Sequence, residues 1–175
     1  MTTQRPAPDE YAPYYHKYIS RVRDGDIVDI LREQSDAVRG MLARVRNERG
    51  HFSYAPGKWT LNEALLHVCD TERVFAYRAL RIARGDTVAL PGFEQDDWVP
   101  LSGANHRTVA SIADEFVAVR AATVALFREL PVESWSRRGT ASNSPVTVRA
   151  LAWKCAGHAL HHEGILREKY LADAP

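Results

Sequence analysis

The segment Gly157-His158-Ala159-Leu160-His161-His162 places three imidazoles close together. On an α-helix His158 and His162 lie about 40° apart and one turn from each other, whereas His161 projects about 60° to the other side of His158. Two neutral imidazoles stacked in this way can share one divalent cation. Leu151, Cys155, Ile165 and Leu166 fall within about 80° of the pair, so the pair lies on the stripe that a helix turns toward a core. Burying an imidazole costs free energy unless its nitrogens find partners. A metal ion satisfies both residues at once; neighbouring carboxylates or waters are the alternative.

A third ligand must come from another segment, and His67 is the best candidate. It lies about 100° from the centre of its own apolar stripe, a flank position that also suits a surface or interfacial histidine. Asp70, one turn later, could accept a hydrogen bond from the free nitrogen of His67 or simply face solvent. Glu72 falls inside the apolar stripe and needs a partner there; it could handle protons or pair with Arg78 or Arg120. Cys155 could be a softer ligand or a small apolar side chain. His16, His51 and His106 fall near termini or loops and read as solvent-facing. Trp59, Trp98, Trp135 and Trp153 read as packing anchors. The chain has no GxGxxG, GxxxxGK[ST], HExxH or GxSxG, so dinucleotide, P-loop, zincin and hydrolase-elbow chemistry lack support. It also lacks paired Glu-x-x-His motifs, which favours a mononuclear over a di-iron site.

The elements that must position these residues are helical. Apolar residues recur at spacings of three and four from Asp26 to about Arg46, from Thr60 to Gly85, from about Thr108 to Leu130, and from Thr147 to about Leu171. Thr60-Leu61-Asn62-Glu63 has the spacing of a capping box, and Thr147 can cap the last helix. Residues 85–106 form a long connection rich in turn residues. Strand alternation is absent except for a brief stretch near Trp135 to Val148. The fold class is therefore all-α, a four-helix bundle with a long crossover connection. The 175 residues fit a single domain, 1–175, with segment 1–23 too rich in tyrosine for a solvated tail and expected to pack on the bundle.

Lys+Arg total 23 against 22 Asp+Glu, a balance that disfavours nucleic acid as a partner despite the arginines between Arg78 and Arg84. With 45% hydrophobic and 26% charged residues the composition is that of a folded globular chain. No apolar run is long enough for a membrane span, and the opening MTTQRPAPDE has no signal-peptide core, so a cytoplasmic protein is expected. Two cysteines, Cys69 and Cys155, provide neither a disulfide framework nor a thiolate-only zinc site.

The segment Lys58-Trp59-Thr60-Leu61-Asn62-Glu63, His67, then TERVFAYRALRIARGD, LPGF, EFVAVRAAT and AGHALHH resemble the DinB-like family of small four-helix proteins. The likeness spans nearly the whole chain. It implies an up-down-down-up bundle, a homodimer, and a divalent metal held by one histidine of the second helix and a His-x-x-x-His pair of the last. Matched residue by residue, these are His67, His158 and His162. Three nitrogens suit zinc or nickel, with iron or manganese also compatible. The family's thiol-dependent transferases and isomerases and its metal-dependent hydrolases imply a small-molecule substrate and a low-molecular-weight thiol as co-substrate. A non-catalytic metal-binding or dimerisation module is the alternative.

Overall fold

The computed structural model describes residues 4–172. The N-terminal segment ends in a short helix, α1 (His16–Ile19). The first long helix, α2 (Ile27–Leu42), starts where the Asp26 carboxylate accepts from the Val28 and Asp29 amides. The next, α3 (Leu61–Ala83), opens on the expected capping box: Thr60 accepts from the Glu63 amide and the Glu63 carboxylate accepts from the Thr60 amide. Gly85, at φ +83°, provides the left-handed residue beyond its end. The crossover carries a short helix, α4 (Gln95–Trp98), before α5 (Val109–Arg128), which Thr108 caps. A hairpin follows, β1 (Arg138–Ala141) and β2 (Ser144–Thr147), and Thr147 then caps α6 (Val148–Ile165). A π-helical turn, Leu166–Tyr170, extends α6 to about the expected end.

The hairpin occupies the stretch where brief strand alternation is visible in the sequence. Ala141 pairs with Ser144, so only Ser142 and Asn143 make the turn, both with positive φ as a type I′ turn requires. The Leu90 amide donates to Thr140 O and Leu90 O accepts from the Ser142 amide, which clips the crossover onto the hairpin.

Side-chain contacts fix the direction of each helix. Asn62 of α3 meets Ala104 and Arg107 before α5, and Glu72 meets Arg120 further along, so α3 and α5 run parallel and the crossover must return the full length of the bundle. Phe75 packs against His158 while His67 meets both His158 and His162, so α3 and α6 are antiparallel. Helix α2 packs on α5 and α6 rather than on α3. The result is the up-down-down-up bundle that the family resemblance implies.

Two apolar clusters fill the bundle, and a polar layer crosses it. Both Glu72 oxygens accept from Arg120 at 2.7 Å; Arg120 also donates to Leu31 O and Gln34 Oε1, and Gln34 Nε2 donates to Ala156 O. The layer thus links all four long helices among the described residues. Glu72 has the structural ion pair weighed above, with Arg120 rather than Arg78.

The N-terminal segment from residue 4 onward lies on α6; residues 1–3 of the expected packed segment 1–23 fall outside the described residues. Arg5 stacks 4.7 Å over Trp153 and donates to Ile19 O and Val22 O, and the buried Glu10 binds Arg149 and Thr147. Gly157 lets α1 approach closely, because a Cβ there would stand 2.3 Å from Tyr18 O. Gly157→Ala is therefore expected to cost about 1–3 kcal/mol and to loosen this segment. Denaturant midpoints and faster proteolytic clipping before residue 24 would show it; a variant as stable and as resistant as the parent would refute the contact.

Candidate metal centre

His67 lies in the second turn of α3, and His158 and His162 lie one turn apart on α6, directly across from it. His67 and His158 are 4% and 6% exposed and His162 is half-buried. Their nitrogens can all be chosen within 4.8 Å of one another, and the Nε2 atoms of His67 and His158 are 3.2 Å apart. Two nitrogens bound tetrahedrally to one ion at about 2.0–2.1 Å stand about 3.3 Å apart, so this separation fits a shared metal. A hydrogen bond between two neutral imidazoles would satisfy one donor and one acceptor and leave the His162 ring without such a partner. Among the described residues this is the one His/Cys/Asp/Glu cluster with such geometry.

The neighbourhood keeps the rings neutral. Burial pushes His67 down to about 4, with the Asp96 carboxylate opposing. Burial, then His67 and His161, takes His162 to about 3. His158 is held well below its usual range by burial and by His162 and His67. Neutral imidazole is the form that ligates a metal.

Surrounding side chains fix the rings. The Trp59 ring lies 4.9 Å from that of His67, and Thr71 Oγ1 is 3.4 Å from His67 Nδ1. Asp70, the residue weighed as an acceptor for His67, instead faces Arg73 at 3.4 Å, because its position turns it toward the α5 side. The Tyr18 ring packs against both His158 and His161. His161 thus meets the N-terminal segment and lies outside the cluster. Cys155 is buried among apolar residues, and burial pushes its thiol up, so it remains protonated and apart from the three nitrogens. His16, His51 and His106 are exposed. Trp135 and Trp153 are buried anchors, but Trp98 is 45% exposed and stacks on Phe93 in the crossover, where the chain leaves the bundle.

Among the described residues a small apolar pocket of about 20 Å³ touches His162 beside Leu65 and Phe116, and two wider clefts also reach the cluster. One, about 270 Å³, touches His158 and is lined by Tyr15, Tyr18, Thr71, Phe75 and Phe93. The other, about 490 Å³, touches His162 and is lined by Tyr54, Lys58, Trp59 and Tyr170. Asp96 of α4 lines both, so the crossover forms a common rim. The sequence reading missed Asp96, Thr71 and Lys154. Only Lys154 left a signal there, a charged residue one turn before His158 on the inward stripe.

The model of the DinB superfamily matches residues 6–166. The structure is similar to that of YfiT from Bacillus subtilis, described as a probable metal-dependent hydrolase with an unusual four-helix bundle topology. The TM-score is 0.69 at 14% identity, covering 95% of this chain and 96% of that one. It is also similar to the mycothiol-dependent maleylpyruvate isomerase, with a TM-score of 0.68 at 13% identity, covering 90% of this chain and 66% of that one. At such identities the likeness is one of fold. No curated protein matches the sequence significantly.

Proposed function

The chain belongs to the DinB superfamily, and from that premise we propose that His67, His158 and His162 hold one divalent metal ion at the centre of a small-molecule enzyme. The observation that carries this reading is the convergence of two buried imidazoles and one half-buried one, held neutral, from two helices at a spacing that one ion fits. A bound ion would supply a Lewis acid able to acidify a water or a thiol at a coordination position the protein leaves free. The chain's own contribution is orientation and access. Trp59 and Thr71 hold the His67 ring, Tyr18 backs His158, and the two wider clefts, which share Asp96, reach His158 and His162 separately.

Access through two clefts favours a two-reactant transfer, with a low-molecular-weight thiol in one cleft and its acceptor in the other. Hydrolysis is the second reading, supported by the acidic rim at Asp96, where an attacking water could be oriented.

Metal analysis of protein purified without a histidine tag tests the centre. About one zinc or nickel per chain is expected, falling to near none in His158→Ala. Equal uptake by the variant, or none by the parent, would refute it. Stoichiometric uptake with thermal stabilisation but no turnover across thiol-transfer and hydrolase panels would instead identify a non-catalytic metal-binding module.

A further inference from the structure

Lys154 is the anomaly of the bundle. It is 2% exposed, yet its ammonium forms no ion pair or hydrogen bond with any described residue. It sits 3.2 Å over the Tyr15 ring and 4.5 Å from the Phe75 ring. Ring faces offset part of the cost of burying a cation, but they leave its three N–H donors without an oxygen. Arg78, also 2% exposed, is a second cation at this place: it donates to Pro91 O and Ser142 Oγ and pairs with no carboxylate. Burial and the nearby Arg78 push Lys154 down to about 7. Two buried cations with no anion between them are unfavourable in the empty protein and favourable once an anion enters.

Neither cation lines the cleft that reaches His158, but both lie directly behind its wall. Tyr15, Phe75 and Ser142, the groups they touch, all line it, and Phe93 lies 5.9 Å from the Arg78 guanidinium. Tyr14, Tyr18 and Phe93 add rings to the walls beside the polar Thr71 and Gln95, and the rim carries the exposed carboxylates of Glu94 and Asp96. A dianion would be repelled at that rim, whereas a flat monoanionic acid meets cations at the back and rings at the sides.

We propose that Lys154 and Arg78 form an anion subsite that binds the carboxylate of the substrate, a compact, apolar organic acid, in the cleft beside His158. The term substrate rests on the metal-dependent reading above; the subsite itself rests on the two cations. The Tyr15 ring, half-buried on the N-terminal segment, is the group that must swing for a carboxylate to contact Nζ directly. The carboxylate then displaces the ring as the partner of the ammonium and keeps it charged. A molecule anchored in this way presents its other end toward His158 and the metal centre.

Benzoate and its neutral isostere benzamide are suitable probes, titrated calorimetrically at constant ionic strength into metal-free and zinc-loaded full-length protein. Benzoate is expected to bind the wild type at least about tenfold more tightly than benzamide. Lys154→Met, which keeps the side-chain volume, is expected to weaken benzoate by about tenfold or more while leaving benzamide unchanged, as for loss of a charge-assisted hydrogen bond in a dry site. Lys58→Met, in the other cleft, should change neither. Equal binding of the two probes, no benzoate binding up to about 50 mM, or undiminished benzoate binding by Lys154→Met would overturn the subsite. So would a carboxylate preference that appears only with zinc and survives Lys154→Met, because the acid would then be on the metal. Failure of zinc uptake with the Lys154 effect intact would refute the metal centre and leave the anion subsite standing.

Discussion

Glu72→Gln is expected to destabilise the protein by about 3–5 kcal/mol, because it leaves the Arg120 guanidinium buried with its anion gone. Arg120 is fully buried and Glu72 is 2% exposed, so no water can take over the role of the carboxylate. The remaining acceptors, Leu31 O and Gln34 Oε1, are neutral dipoles that already bind Nη1 and cannot cover Nε and Nη2. Against a typical total of about 5–15 kcal/mol, the loss should lower the melting temperature by roughly 6–20 °C. Replacing both partners, Glu72→Leu with Arg120→Met, should cost less than the single change, since no charge is left behind and only Leu31 O and Gln34 lose a donor. Denaturant midpoints of the parent, Glu72→Leu, Arg120→Met and the double variant form a double-mutant cycle that measures this. A Glu72→Gln variant within about 1 kcal/mol of the parent would show that the pair is not held as described. Metal uptake per folded chain should be unchanged, which separates the structural role of Glu72 from a proton-handling one.

The sequence made the helices legible because their signals are local. The Thr60/Glu63 box and the Asp26, Thr108 and Thr147 caps each involve a side chain and an amide within three residues, and each appears where a helix begins. His158 and His162 were legible for the same reason, as one helix fixes their relation. His67 was not. Its wheel position lies on the flank because α3 is covered from two sides, by α5 and α6, and Trp59 from the preceding loop closes over the ring. A helix with two buried contacts has no single stripe whose centre predicts depth. The residues alone made it a candidate on the flank, and the resemblance to a known family settled that ambiguity. Asp70 and Thr71 show the same limit, since one position along a helix turns a side chain by about 100° and decides whether it meets α5 or the imidazole. Lys154 and Asp96 depend on tertiary contacts, one on the docking of the N-terminal segment and the other on the path of the crossover, and neither contact leaves a periodic trace.

Acid should unfold the metal-free protein over a window set by the three imidazoles. In the unfolded chain each histidine takes up a proton near pH 6.5. In the folded protein His67 resists until about 4, His162 until about 3, and His158 is held lower than usual as well, in each case chiefly through burial. Between those values the unfolded chain binds more protons, so stability is complete above about pH 6.5 and is lost as the pH falls toward 4. At pH 5 His67 and His162 cost about 2 kcal/mol each, about 4 kcal/mol together relative to pH 8, and His158 adds to the loss in the same direction. Denaturant unfolding of the metal-free protein at pH 8 and pH 5 measures the whole pH dependence, to which Lys154, pushed down to about 7, adds a loss of the same sign. His162→Gln, which keeps a polar side chain but cannot titrate, should reduce the pH-dependent loss by about 2 kcal/mol. Lys154 is present in both proteins, so its own titration cancels in the difference. Parallel stability profiles for the two proteins from pH 8 to pH 5 would mean that His162 is solvated and protonates freely. The same neutrality governs metal loading. At pH 6 the imidazoles are already deprotonated, so zinc uptake should release few protons from its ligands, whereas freely solvated histidines would release most of one proton each. Calorimetry at pH 6 in buffers of different ionisation enthalpy counts those protons, and a release of two or three, about what solvated imidazoles would give, would contradict the buried cluster.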